Sequence, residues 1–214
     1  MTEATSHLKP HAKIEAKTEA TTRVASKNRR QQILEVLAGE LERYPGNKVT
    51  TASLAKAVGV SEAALYRHFP SKARMFEELI SFAEHTVFSR INQINAEQKE
   101  VDWKCERICI LMMTFASKNP GITRLLMGDV LVGEKERLRK RAAQFFARLE
   151  VEIKQNIRIA YPRGSTAVSY ASLLTTYISG RMVNYVRSDF AEDPLHLWDD
   201  HWQRLRPSDS PQVR

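Results

Sequence analysis

Thr50-Thr51-Ala52-Ser53-Leu54-Ala55-Lys56-Ala57-Val58-Gly59-Val60-Ser61-Glu62-Ala63-Ala64-Leu65-Tyr66-Arg67-His68-Phe69-Pro70-Ser71-Lys72 is the stretch on which the fold depends. Thr50 or Thr51, and then Ser61, are residue types that cap helix starts, and Gly59 between them breaks the chain, so two short helices joined by a turn are expected. Leu54, Ala55, Val58, Val60 and Leu65 supply a shared inner face. Ala55 is small enough for the helices to cross closely, and Gly59 can take a positive φ without a Cβ penalty. This is the layout of a helix-turn-helix. The first turn of its second helix, Glu62-Ala63-Ala64, lets the backbone come near base edges in a DNA major groove, with Tyr66, Arg67 and His68 following at outward positions.

The flanks carry groups suited to phosphate. Lys72 sits in the first turn of the helix that Pro70-Ser71 begins, where its ammonium can meet a DNA phosphate, and Thr50 and Thr51 can do the same from the preceding helix. Arg29 and Arg30 can reach along the DNA backbone or into the minor groove. Such contacts position the protein, and base discrimination falls to the helix that opens at Ser61.

Working outward, Ile33, Leu34, Leu37 and Leu41 have the spacing of an amphipathic helix ending near Tyr44-Pro45-Gly46-Asn47. After Ser71 a long helix is expected to about Asn95, with Met75, Phe76, Leu79, Ile80, Ala83 and Val87 inward and Glu77, Glu78 and Glu84 outward. The same rhythm returns in 108–116, 122–127, 138–159 and 168–186, and a last short helix is expected around His196 to Leu205. Asn119-Pro120-Gly121 and Tyr161-Pro162-Arg163-Gly164 are the breaks. No segment alternates apolar and polar residues with a period of two, so the fold class is all-α with roughly nine helices. The expected organisation is a disordered basic tail over 1–27, a helix-turn-helix domain over 28–73, a helical dimerisation and partner-binding domain over 74–206, and a disordered tail over 207–214.

Composition limits the partners. With 33 Lys and Arg against 25 Asp and Glu in 214 residues, the net charge is +8 and the isoelectric point about 9.6. That balance suits a polyanion such as nucleic acid, although a solvated basic surface has the same arithmetic. The run from Ile108 to Phe115 is far shorter than the roughly 20 residues of a membrane span, and no secretory leader is read at the N-terminus, so a cytoplasmic protein that does not engage membrane is expected. Cys105 and Cys109, four apart on a helix, read as apolar fillers.

Leu65-Tyr66-Arg67-His68-Phe69-Pro70-Ser71-Lys72 resembles the signature of TetR-type regulators. The resemblance implies an all-α homodimer whose Tyr66 and Lys72 bind phosphates and whose two recognition helices sit one DNA turn apart on a palindromic site. A longer set of matches is similar to the nucleoid occlusion branch of these proteins. It comprises Asn28-Arg29-Arg30, residues 60–72, Met75-Phe76, Ser89-Arg90-Ile91-Asn92 and Asn119-Pro120-Gly121-Ile122-Thr123-Arg124. That likeness implies a nucleoid-associated protein that, while on DNA, antagonises assembly of the division protein FtsZ. It further implies an FtsZ-binding groove including Phe82, Arg90, Lys118 and Asn119, although Phe82 at its spacing equally suits a core position.

Between Ser169 and Val186 the small residues Ala171, Ser172, Ser179 and Gly180 lie among Leu173, Leu174, Tyr177, Met182 and Val183. Gly180 inside a helix implies a close backbone approach across a two-fold axis, with the Trp198/Trp202 helix completing a four-helix interface; packing within one subunit is the alternative. Two rival functions remain. A ligand-responsive repressor of the same fold needs a pocket, whereas Met112, Met113, Phe115, Phe145 and Phe146 read as a filled core. An enzyme needs a catalytic cluster, and His196 and His201, with Asp199 and Asp200 between them, lack metal-site spacing and companions. No cofactor, metal or catalytic residue is expected.

Overall fold

The computed structural model describes residues 28–43, 49–160 and 166–206. The two expected tails and the turns at 44–47 and 161–164 lie outside these. The described elements are helical, in the order α1 (28–43), α2 (Thr51–Val58), α3 (Glu62–His68), α4 (Lys72–Ala96), α5 (Val101–Lys118) and α6 (Pro120–Met127). A 3-10 turn (Asp129–Leu131) then precedes α7 (Glu136–Ala160), α8 (Thr166–Arg187) and α9 (Trp198–Leu205).

The N-terminal unit closes because its caps and its apolar face agree. Thr50 and Ser53 form a reciprocal capping box at the start of α2, and Ser61 accepts a hydrogen bond from the Ala64 N–H, 3.2 Å, at the start of α3. Gly59 ends α2 at φ 76°, the left-handed conformation that only glycine adopts without strain. Ile33, Leu37 and Leu41 from α1 join Leu54, Leu65 and Phe69, all fully buried. Burying each such side chain contributes roughly 1.5–3 kcal/mol, enough together to order helices too short to be stable alone.

Helix α4 runs unbroken across the expected domain boundary at 73/74 and carries the small unit into the larger bundle. There α7 and α8 form a long helical hairpin over α5 and α6. Phe88 and Phe145 meet with centroids 5.3 Å apart, and Met112, Met113 and Phe115 fill the space beneath. Both cysteines lie in this core, and burial pushes the Cys105 thiol up to about 12.

Two expectations need correction. Glu77, read as facing outward, is buried, because its carboxylate joins Arg74 of its own helix to Arg137 of α7 at 2.6 and 2.8 Å. The last helix begins at Trp198 because Leu197 takes a left-handed φ of 60°, which stops helix at the residues before it. Trp198 and Trp202 are buried within one subunit, stacked at 5.4 Å with Trp198 against Tyr177, while Asp199, Asp200, Gln203 and Arg204 on the other side of α9 are exposed.

Candidate nucleic-acid interface and the groove beside it

Helix α3 packs only Leu65 inward and leaves Glu62, Ala63, Tyr66 and Arg67 exposed, which is the distribution a groove-reading helix requires. The capping Ser61 and Thr50 are exposed beside it, while Ala64 and His68 are half-buried. Thr51 donates to the Glu62 carboxylate at 2.9 Å and lies 3.5 Å from the Tyr66 hydroxyl, so α2 and α3 present one continuous polar surface. On this surface the structure brings together Thr50, Thr51, Ser61, Glu62, Ala63, Tyr66 and Arg67.

The three basic residues flanking this surface differ in their surroundings. Arg29 is exposed and bonds only Gln32 of its own helix. Arg30 is half-buried and has partners within the protein: its guanidinium donates to the His68 carbonyl, pairs with Glu78 of α4 and lies 4.2 Å over the Phe69 ring. It clamps the end of α3 between α1 and α4, and reaching DNA would require breaking all three contacts. Lys72 also has partners, donating to the Val49 carbonyl at 3.2 Å and pairing with Glu134 at 2.5 Å. Sequence spacing gave no sign of Glu134, which lies 62 positions along the chain.

Next to this unit a groove of about 380 Å³ opens between α1, α4 and the α5–α6 corner. Phe82, Lys118 and Asn119 all line it, and Phe82 is 46% exposed, so the core reading of that residue is set aside. Arg90, two turns further along α4, is exposed and bonds Gln93 without lining the groove. The opposite wall is supplied by α1, through Leu34, Glu35, Ala38 and Glu42. Leu34 was read as part of a buried stripe, and no signal in the sequence singled out the other three.

The groove's corner is fixed tightly. Thr123 donates to the Ala116 and Asn119 carbonyls at 3.1 and 3.0 Å, and the Asn119 amide donates to the Phe115 carbonyl at 2.9 Å. Buried Arg124 donates to the Leu41 carbonyl at the end of α1, 3.1 Å, and pairs with Asp129 at 2.6 Å. An arginine of the larger domain thereby caps the first helix of the smaller one.

On the far side, α8 exposes Val168, Ser172, Leu173, Thr176 and Gly180, and no charged residue interrupts its exposed positions from 168 to 180. A Cβ built on Gly180 meets nothing within 4 Å inside the subunit, so intrasubunit packing does not require this glycine. His201 is held by the Tyr177 hydroxyl at its Nδ1, 2.8 Å. Among the described residues no group of three or more His, Cys, Asp or Glu is placed to hold a metal ion, and no helix is long and apolar enough to cross a membrane.

Comparison with known proteins fits this geometry. Residues 33–79 match the bacterial regulatory proteins of the tetR family, and residues 99–208 match the tetracyclin repressor-like C-terminal domain of SlmA type. The nucleoid occlusion factor SlmA of Alteromonas mediterranea is 50% identical over 188 residues, covering 86% of this chain and 96% of that protein. The SlmA of Colwellia psychrerythraea is 50% identical over 183 residues, covering 83% and 92%. Among solved structures, the MbdR regulator of Azoarcus aligns with a TM-score of 0.70 at 18% identity over 85% of this chain and 99% of that one. The fatty acid degradation regulator FadR of Bacillus halodurans aligns at 0.68 and 14% over 87% and 97%; at such identities the likeness is one of fold.

Proposed function

The chain belongs to the SlmA nucleoid occlusion factors, a branch of the TetR-type DNA-binding proteins, and from that membership we propose that its DNA-bound dimer captures FtsZ in the groove between α1, α4 and α6. The observation that carries this reading is the groove's composition. Phe82, Leu34, Leu79 and Ile122 offer apolar surface, and the walls come from both the DNA-reading unit and the larger domain. Lys118 supplies a positive charge at the α5–α6 corner while Glu35 and Glu42 lie on the α1 wall, so that acidic groups of a partner are admitted at the corner alone. An apolar peptide with acidic residues, such as the C-terminal segment of FtsZ, suits that combination.

In this account α3 reads the major groove, with Thr50, Thr51, Ser61, Tyr66, Arg67 and Lys72 on phosphates or base edges. Arg29 follows the DNA backbone. The uncharged outer face of α8 pairs two subunits around Gly180, which sets the two α3 helices one DNA turn apart on a palindromic site. The protein works at the nucleoid through binding alone, with no catalytic role and no cofactor.

The test is retention of FtsZ on an immobilised palindromic duplex. Wild-type protein is expected to retain FtsZ only when the duplex is present. Phe82→Ala with Lys118→Glu is expected to abolish retention and leave duplex binding unchanged, and Arg90→Asp is expected to weaken it less because Arg90 stands outside the groove. Equal retention by the groove variant would refute the assignment.

A further inference from the structure

The segment that follows the 3-10 turn is strongly basic: Lys135, Arg137, Arg139, Lys140 and Arg141 accompany only Glu134 and Glu136. Most of these charges are spoken for. Glu134 pairs with Lys72, Arg137 with Glu77, Arg141 with Glu84 at 2.7 Å, and Lys140 with Glu136 at 3.0 Å. Lys135 and Arg139 remain. Both are exposed, neither has an acidic partner among the described residues, and they flank the start of α7, Lys135 just before its first residue and Arg139 in its first turn.

Their position is set by the ion pairs around them. Glu134, the immediate neighbour of Lys135, holds the ammonium of Lys72 in the first turn of α4, where the DNA-reading unit ends. Arg137 is tied to Glu77, one turn further along the same helix. The start of α7 is therefore pinned to the part of α4 nearest the DNA. Two unpaired cations beside a phosphate-binding lysine extend one field of positive charge from the small domain onto the large one.

We infer that Lys135 and Arg139 form an accessory contact with the DNA backbone, so that the larger domain touches the duplex directly. The contact is to phosphate and carries no sequence information. It follows from the unpaired charge of the two residues, from the place of Lys135 next to Glu134, the partner of Lys72, and from the exposure of Arg139 one turn further on, and it rests on DNA being the ligand of the helix-turn-helix. A negatively charged protein surface at the same ridge is the competing occupant, and the measurement below separates the two.

The test uses the full-length dimer, a fluorescent palindromic duplex and a scrambled one, titrated over a range of salt. Each phosphate contact steepens the dependence of log K on log salt by about 0.9 on duplex DNA. Lys135→Gln with Arg139→Gln is expected to flatten that slope by one to two contacts' worth and to weaken the palindromic and scrambled duplexes by the same factor, about tenfold at moderate salt. Lys135→Arg with Arg139→Lys is expected to keep the wild-type slope. An unchanged slope in the Gln variant overturns the inference, and so does loss of affinity without a change in slope, which would mean a folding effect. If wild-type protein itself shows no salt-dependent duplex binding, the DNA reading fails; if it binds and only the Gln variant is unaltered, the ridge alone fails.

Discussion

Gly121, at the start of α6, approaches Ala38 of α1 so closely that a Cβ added to it would stand 2.0 Å from the Ala38 carbonyl oxygen. No side chain can be accommodated there without separating the two backbones. Both residues line the groove, so one close approach sets the groove's width and the docking of the DNA-reading unit on the larger domain. Gly121→Ala is expected to destabilise the fold by about 1–3 kcal/mol, the usual range for overpacking. It should also weaken FtsZ peptide binding more than DNA binding. Urea unfolding with parallel peptide and duplex titrations measures both.

Arg124 is the second element of the same seam. Replacing it with Ala would leave the Leu41 carbonyl without this donor and Asp129 without its guanidinium partner. Because Asp129 remains partly solvated while the Leu41 carbonyl loses a buried donor, the expected cost is about 1–3 kcal/mol. Denaturant midpoints of the wild type and the variant check this. A change below about 1 kcal/mol would show that the cap contributes little.

Glu134 holds the ammonium that the proposed phosphate contact of Lys72 would use. Removing its charge in Glu134→Gln frees the ammonium and is expected to raise duplex affinity two- to fivefold, in line with the modest strength of a partly exposed ion pair. The gain should shrink as salt increases, because screening already weakens the pair. Anisotropy titrations at two salt concentrations follow the effect; lower affinity in the variant would instead mean that Glu134 orients Lys72 toward the phosphate.

Stability should fall in alkali. Burial raises the Cys105 thiol from 9.0 to about 12 and raises Cys109, Tyr177 and Tyr185 as well. Each group keeps its proton in the folded state after the unfolded chain has lost it, so the stability they contribute is complete below about pH 9 and declines as pH climbs toward 12. Thermal midpoints measured from pH 7 to 11 are expected to be level and then to drop. At pH 8 the native thiols should resist a disulfide reagent that labels both once the protein is unfolded.

The helix-turn-helix was legible because its information is local. Thr50, Gly59 and Ser61 each satisfy a requirement of the backbone within a few residues, and those requirements are visible in the order of residue types. Phe82, Lys118 and Asn119 were reached through a resemblance rather than through spacing, and the groove that unites them depends on α1 meeting α6 across 83 positions between Leu41 and Arg124. Contacts of that range leave no periodic trace. The partners of Arg30 and the burial of Glu77 were not legible for one reason: a charged side chain at a helix surface looks the same in sequence whether it faces solvent or another helix, and only the packing of α3, α4 and α7 distinguishes the two. The Gly180 position and the uncharged outer face of α8 were legible in the sequence, whereas the burial of Trp198 and Trp202 was not, because aromatic residues serve cores and interfaces alike.

The central claim is that the helix opening at Ser61 reads bases in duplicate across a symmetric dimer. Selection from a pool of random duplexes tests it most directly. The account predicts enrichment of one palindrome with half-sites a single DNA turn apart, and loss of that preference when Ala63 is replaced by Glu, with non-specific binding retained. Recovery of unenriched sequence by the wild-type protein, or the same palindrome from the Ala63→Glu variant, would contradict it.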